Sequence, residues 1–148
     1  MKYRTFPGTG VSVSEVGFGL WTLSTGWWGD VTDEQAVAML RRSLDDHGVT
    51  FFDAADAYGN GRSEKQLAEA FRGRRDEVVY GTKIGYDIYD EEAAKARRGQ
   101  SELPQRFEPK FMRMAVDKCL ERLETDYIDV LQLHNIKMDH VRNPEIWE

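Results

Sequence analysis

Phe51-Phe52-Asp53-Ala54-Ala55-Asp56-Ala57-Tyr58-Gly59 reads as an apolar strand that ends on a carboxylate and reaches a tyrosine five residues later. The pattern recurs downstream. Val78-Val79-Tyr80-Gly81-Thr82-Lys83 closes on an ammonium, and Ile128-Asp129-Val130-Leu131-Gln132-Leu133-His134 closes on an imidazole. Short continuous apolar runs are how strands buried on both faces read. Polar groups at successive strand ends mark the face where a (β/α)8 barrel gathers its active site. Asp53, Tyr58, Lys83 and His134 are therefore the candidate catalytic residues.

Outward from these runs, Tyr3-Arg4-Thr5-Phe6 and Val11-Ser12-Val13-Ser14 flank a turn containing Pro7, Gly8 and Gly10, which predicts a hairpin. A first buried strand is expected from Glu15 to Leu20, followed by an aromatic, glycine-bearing loop from Trp21 to Gly29. Thr32 with Gln35 reads as a capping box, ahead of a helix whose period is carried by Ala36, Met39, Leu40 and Leu44. Gly48 is its left-handed terminator. Strand two is expected from Val49 to Ala54. A second helix begins near Ser63-Glu64, with Leu67, Ala68 and Phe71 on one face, and ends before Gly73.

Strand three is expected from Glu77 to Thr82. The polar segment from Asp87 to Glu108 reads as a solvated loop with a helical turn around Glu91 to Arg98. Its place above strand three also suits a lid or a partner contact. Pro109 opens a third helix with Met112, Val116, Cys119, Leu120 and Leu123 on its apolar face, and strand four runs from Tyr127 to Leu133. Asn143-Pro144-Glu145 has the cap, the proline and the acidic residue of another helix start.

Strand and helix alternate four times without a shift in composition, which calls for a parallel sheet with helices packed outside it. A doubly wound sheet and a barrel both fit; the polar strand ends favour the barrel. A whole barrel takes ~250 residues. The 148 residues here supply the N-terminal hairpin and strands one to four. A free-standing half barrel would expose sheet edges. The expectation is thus the N-terminal part of a single barrel domain, truncated at the start of its fourth helix, with assembly of two copies as the alternative.

Composition narrows the function classes. A net charge of -6 with dispersed Lys and Arg argues against a nucleic-acid partner. No apolar run approaches the ~20 residues that span a membrane, and Met1-Lys2-Tyr3-Arg4 lacks the apolar stretch of a secretory signal. One cysteine, Cys119, cannot form an internal disulfide, so a cytoplasmic protein is expected. His47, His134 and His140 have no metal-ligand spacing with it, and no metal is expected. His47 beside Gly48 reads as a charge near a helix end. Gly59-Asn60-Gly61 is a turn and not a phosphate cradle.

The four candidates have a common chemistry. A tyrosine is a poor acid near neutrality, but a nearby ammonium favours the phenolate and makes the phenol a better proton donor. Asp53 would orient Lys83 through a salt bridge, and His134 would polarise a substrate carbonyl. Such a group protonates an oxygen as negative charge develops on it, as when hydride attacks a carbonyl. Lys83 has one rival chemistry, the Schiff-base amine of a lyase. Trp21, Trp27 and Trp28 read as lining an apolar substrate mouth with Tyr58 and His134; packing under a loop is the plainer alternative.

These stretches resemble the N-terminal half of the aldo-keto reductase family. The resemblance is carried by Phe51 to Gly59 with Gly61, Ser63 and Glu64, by Gly81-Thr82-Lys83, by Leu120-Glu121-Arg122-Leu123-Glu124-Thr125-Asp126-Tyr127-Ile128-Asp129, and by Leu131-Gln132-Leu133-His134. It runs from Tyr3 to His134, and four separate motifs agree. It implies a (β/α)8 barrel that uses NADPH to reduce aldehydes or ketones without metal. By resemblance Tyr58 is the general acid, Lys83 makes it a better one, Asp53 supports Lys83, and His134 orients the carbonyl. Gly19, Leu20 and Trp21 match the first-strand loop that lies against the cofactor, Asp53 joins them as a cofactor-binding residue, and the hairpin matches the one closing the barrel bottom. Strands five to eight, which in the family carry the nicotinamide-amide contacts, the stacking aromatic and the 2′-phosphate pocket, have no counterpart in the chain. The implied partners are a small carbonyl substrate and either a C-terminal half or a second copy. A non-catalytic protein of this fold, keeping the pocket as a ligand or redox sensor, is the rival from another class.

Overall fold

Ser14 is where the N-terminal hairpin meets the sheet. Its hydroxyl accepts from Thr50 N at 2.9 Å and donates to Val16 O at 2.7 Å, while Ser14 N donates to Thr50 Oγ1 at 3.0 Å. The computed structural model describes residues 1–90 and 103–147. The hairpin pairs β1 (Tyr3–Thr5) antiparallel with β2 (Ser12–Ser14). Beyond it β3 (Gly17–Gly19), β4 (Phe51–Asp53), β5 (Val79–Ile84) and β6 (Val130–Leu133) form one parallel sheet in chain order. Neighbouring strands are joined by α2 (Asp33–Asp45), α3 (Arg62–Ala70) and α4 (Pro109–Leu123). Sequential order without reversal is barrel topology; a doubly wound sheet reverses at its switch point.

Register decides what each face of the sheet carries. Gly19 pairs with Asp53, Asp53 with Gly81, and Lys83 with Gln132. Because side chains alternate along a strand, Phe18, Phe52, Tyr80, Thr82 and Ile84 face the helices, and Asp53, Lys83 and Gln132 face the other way. The core lies on the helix side. Phe52 and Phe71 pack with tilted rings, centroids 4.7 Å apart, among Leu20, Leu40, Leu67 and Leu123. A second cluster joins Ile84 to Phe111, Ala115 and Cys119 of α4. On the other face, the Phe51 ring lies across Gly17 and Gly81, where an added Cβ would come within 2.9 and 3.2 Å of it.

Several boundaries differ from the sequence reading, each for a local reason. The aromatic loop opens with a helical turn, α1 (Trp21–Ser24), because the Thr25 backbone and hydroxyl both bond to Trp21 O. Strand three starts later and runs past Thr82. Glu77 lies in a 3-10 turn (Arg75–Glu77) gripped by Arg74, and Lys83 and Ile84 join the ladder to β6. Strand four starts at Val130, since Asp129 is engaged with Tyr80 N and Arg75. The buried face of α4 is Phe111, Ala115, Cys119 and Leu123: the last two are as expected, and Phe111 and Ala115 stand where Met112 and Val116 were expected. The Asn143 cap is present, but it opens a 3-10 turn, Pro144–Ile146. A short helix, α5 (Met138–Val141), precedes it and is too brief to show a period. The turn expected around Glu91 to Arg98 lies outside the described residues. The capping box of Thr32 and Gln35 is formed in both directions, and Gly48 takes the left-handed conformation at φ 67°.

Phe52 is the keystone of the helix-side core, being fully buried between Phe18 and Phe71. Phe52→Ala is expected to lower unfolding stability by about 3–5 kcal/mol in urea denaturation. A change below about 1 kcal/mol would show that the aromatic layer does not hold the sheet to its helices.

Candidate active site

Alternation places Asp53, Lys83, Gln132 and His134 on the face opposite the core, at the carboxyl ends of β4, β5 and β6. Lys83 Nζ donates to Asp53 Oδ2 at 2.7 Å and to Ala54 O at 2.8 Å. Both side chains are largely shielded, with 13% and 32% of their surfaces exposed. Gln132 Nε2 donates to the other Asp53 oxygen at 3.3 Å, so both carboxylate oxygens are engaged. An ammonium has three N–H groups, and two of them have these acceptors among the described residues. Lys83 Nζ also lies 4.7 Å from the centroid of the Tyr58 ring.

Tyr58 comes from the turn after β4. Its N–H closes onto Ala55 O at 3.1 Å, and Ser63 at the head of α3 fastens the same turn by donating its hydroxyl to Ala55 O at 2.9 Å. Gly59 follows at φ 61° and lies against the Ser24 carbonyl, 2.4 Å from where a Cβ would stand. Only glycine fits that approach. The end of α1 is thereby set beside Tyr58.

His134 is fixed by its neighbours rather than by its ring nitrogens. Its N–H donates to Ile84 O at 2.8 Å, and Gln105 Nε2 donates to His134 O at 2.8 Å. The ring meets Tyr58 edge-on at 5.6 Å and Tyr86 at 4.8 Å, and Asn135 Nδ2 donates to the Tyr86 hydroxyl at 2.9 Å. Nδ1 is buried without a hydrogen-bond partner among the described residues. Burial, with the positive charge of Lys83, lowers the imidazole to about 4, so it is neutral near pH 7. A neutral imidazole has one donor and one acceptor nitrogen.

The structure brings all four candidates together, and it adds Gln132, which the sequence reading passed over. The residues expected at the cofactor divide. Gly19 stands beside Asp53, with nothing within 4 Å of where its Cβ would be. Leu20 sends its side chain into the core, and only its N–H reaches the site, donating to Asp53 O at 2.9 Å. Trp21, Trp27 and Trp28 are exposed and pack on one another, Trp21 lying 5.5 and 6.0 Å from the other two ring centroids. Among the described ring contacts the indoles touch one another and not Tyr58 or His134. Their loop is anchored at both ends on α3: Ser24 donates to Gln66, and Arg62 donates to Val31 O and to Asp33. Among the described residues no cluster of three His, Cys, Asp or Glu could hold a metal ion.

The model of the aldo/keto reductase family matches residues 15–148. The chain belongs to the aldo/keto reductase family. It is 32% identical over 140 residues to aldo-keto reductase YhdN of Bacillus subtilis, covering 90% of this chain and 38% of that protein. An aldo-keto reductase of Bacillus halodurans, solved in its holo form, superposes with a TM-score of 0.79 at 29% identity, covering 99% of this chain and 44% of the other. An aldo-keto reductase of Klebsiella pneumoniae solved with NADPH gives 0.65 at 30% identity, over 90% and 40% of the two chains. The chain thus spans less than half the length of these relatives. The four parallel strands are the N-terminal portion of the aldo/keto reductase (β/α)8 barrel. No helix among the described residues is long and apolar enough to cross a membrane.

The lowered His134 gives a signed pH dependence for this aldo/keto reductase chain. The unfolded chain takes up the imidazole proton near 6.5, whereas the native protein resists it until about 4. Stability from this group is complete above 6.5 and is lost as pH falls through 4. His134→Gln is expected to flatten that acid limb by about 3 kcal/mol, read from denaturation midpoints across the range. An unchanged limb would show that His134 takes up its proton as readily in the native protein as in the unfolded chain.

Proposed function

We propose that this chain supplies the proton-transfer apparatus of an NADPH-dependent reductase of aldehydes or ketones, and that residues 1–148 form the N-terminal part of a single barrel domain. The observation that carries the reading is the line Asp53–Lys83–Tyr58, with a 2.7 Å ion pair and an ammonium 4.7 Å from the centroid of the phenol ring. The residues present fit the cofactor. Gly19 leaves the strand edge beside Asp53 bare, and His134 Nδ1 is a buried polar atom without a partner among the described residues. The Klebsiella pneumoniae relative with NADPH supports the choice of cofactor. Gly19, the Leu20 backbone, Trp21 and Asp53 would lie along it.

NADPH, when bound, supplies the hydride. The chain's own residues handle the oxygen. His134, neutral, donates one hydrogen bond to the carbonyl oxygen and orients it for attack. Tyr58 gives its phenolic proton to that oxygen as the C=O bond gains hydride at carbon and becomes an alcohol. Lys83 stabilises the phenolate left behind, and Asp53 holds the ammonium aimed. Lys83 Nζ is already engaged by Asp53 and by Ala54 O, which disposes it badly for attack on a carbonyl carbon, so the Schiff-base reading loses ground. Trp21, Trp27 and Trp28 suit an apolar substrate entrance.

Tyr58→Phe is the direct test. Loss of NADPH absorbance with a panel of aldehydes and ketones is expected to slow by about 10²–10⁴-fold, the range for a lost general acid. NADPH affinity, read by fluorescence titration, should stay within a few-fold. A Tyr58→Phe protein that turns over at the wild-type rate would overturn the assignment.

A further inference from the structure

Behind the turn that carries Tyr58 lies a carboxyl group that the proposed reaction leaves unused. Asp56 is fully buried, and neither of its carboxyl oxygens has a hydrogen-bond partner among the described residues. Its backbone, by contrast, is held: Asp56 N donates to Lys83 O at 3.1 Å, next to the closure of Tyr58 N onto Ala55 O. The charged and titratable groups that act on its side chain come from every element packed around it. They are Glu64 of α3, Arg122 and Cys119 of α4, Lys83 of β5, and Tyr89 in the segment after β5.

The hydrogen bonds show which of these groups are committed. Glu64 is itself fully buried, and its two oxygens accept from Thr82 Oγ1 at 2.7 Å and from Arg122 Nε. Two carboxyls therefore share one guanidinium, and Glu64 has taken it. Lys83 is bound to Asp53 and Ala54 O on the other face of the sheet. The Ala57 amide is near enough to favour the charged form slightly, without a hydrogen bond to it. An ion buried without a partner costs several kcal/mol, and a neutral acid far less.

We propose that Asp56 is a positioning residue, an uncharged carboxylic acid behind the Tyr58 turn, whose ionisation displaces that turn and carries Tyr58 away from Lys83. Burial, reinforced by the charge of Glu64, raises this carboxyl from 3.8 to about 8. Above 3.8 the native protein keeps a proton that the unfolded chain has released, so the group's stabilising contribution is complete below 3.8. It declines as pH rises and is gone above about 8. The proposal rests on the reductase reading only for the task of Tyr58; the buried acid stands apart from it.

The test is a carbon NMR titration of the protein labelled at its aspartate carboxyls and tyrosine rings, with Asp56→Asn assigning the Asp56 signal. One aspartate, absent from Asp56→Asn, is expected to titrate near pH 8. The Tyr58 ring signals should move with the same midpoint, and that movement should vanish in the variant. The alkaline fall in carbonyl reduction should follow the same midpoint in the wild type and be missing from Asp56→Asn. An Asp56 carboxyl that titrates in the ordinary carboxylate range, or a Tyr58 ring blind to it, would overturn the proposal. If Asp56→Asn does not fold, the presence or absence of an alkaline aspartate in the wild type decides. A protein without reductase activity at any pH would sink the reductase reading and leave the titration to judge this one.

Discussion

The ion pair between Lys83 and Asp53 is the interaction on which the site depends. Two charges taken largely out of water lose hydration, and their attraction offsets the loss only when further hydrogen bonds complete each group. Here Ala54 O completes the ammonium and Gln132 the carboxylate. That arrangement needs three strands in a particular register. Asp53 pairs with Gly81, and Lys83 stands two residues further on, beside Gln132. A slip of one residue in β5 would send Lys83 into the helix-side core.

The same register separates packing from chemistry. One face of the sheet is committed to Phe52, Tyr80, Thr82 and Ile84 against the helices. The other bears Gly17, Gly19 and Gly81 beside Phe51 and Asp53, so bare backbone flanks the acid–base pair. Polar groups on the helix side are not loose ends. Arg75 lies over the rings of Tyr80 and Tyr127 while binding Asp129, and Arg122 crosses Gly61 to reach Glu64. Asp56 alone among the buried carboxyls described lacks such a partner.

How much of this was legible in the sequence follows from the range of each signal. The alternation of strands and helices, the capping box at Thr32 and the glycine terminator at Gly48 are local, and they read correctly. The clustering of Asp53, Tyr58, Lys83 and His134 could be read because strand-end polar residues share one end of a parallel sheet. Gln132 was hidden, since its role exists only through pairing with Lys83 across β5 and β6. The Glu64–Arg122 contact joins residues 58 apart in the chain, and no periodicity announces it. Leu20 was set beside the cofactor by resemblance alone, while its side chain answers to the core. On α4 the expected stripe held at Cys119 and Leu123, while in the first turns the buried residues are Phe111 and Ala115 in place of Met112 and Val116.

Single-turnover hydride transfer in Lys83→Met tests the central claim most directly, with cofactor binding measured on the same protein. If the Asp53–Lys83 pair powers proton donation by Tyr58, NADPH oxidation in a saturated mixture of enzyme and carbonyl substrate should slow by at least ~10²-fold, with cofactor affinity little changed. Hydride transfer at the wild-type rate in Lys83→Met would contradict it, and the ion pair would then be a fastening of the sheet and nothing more.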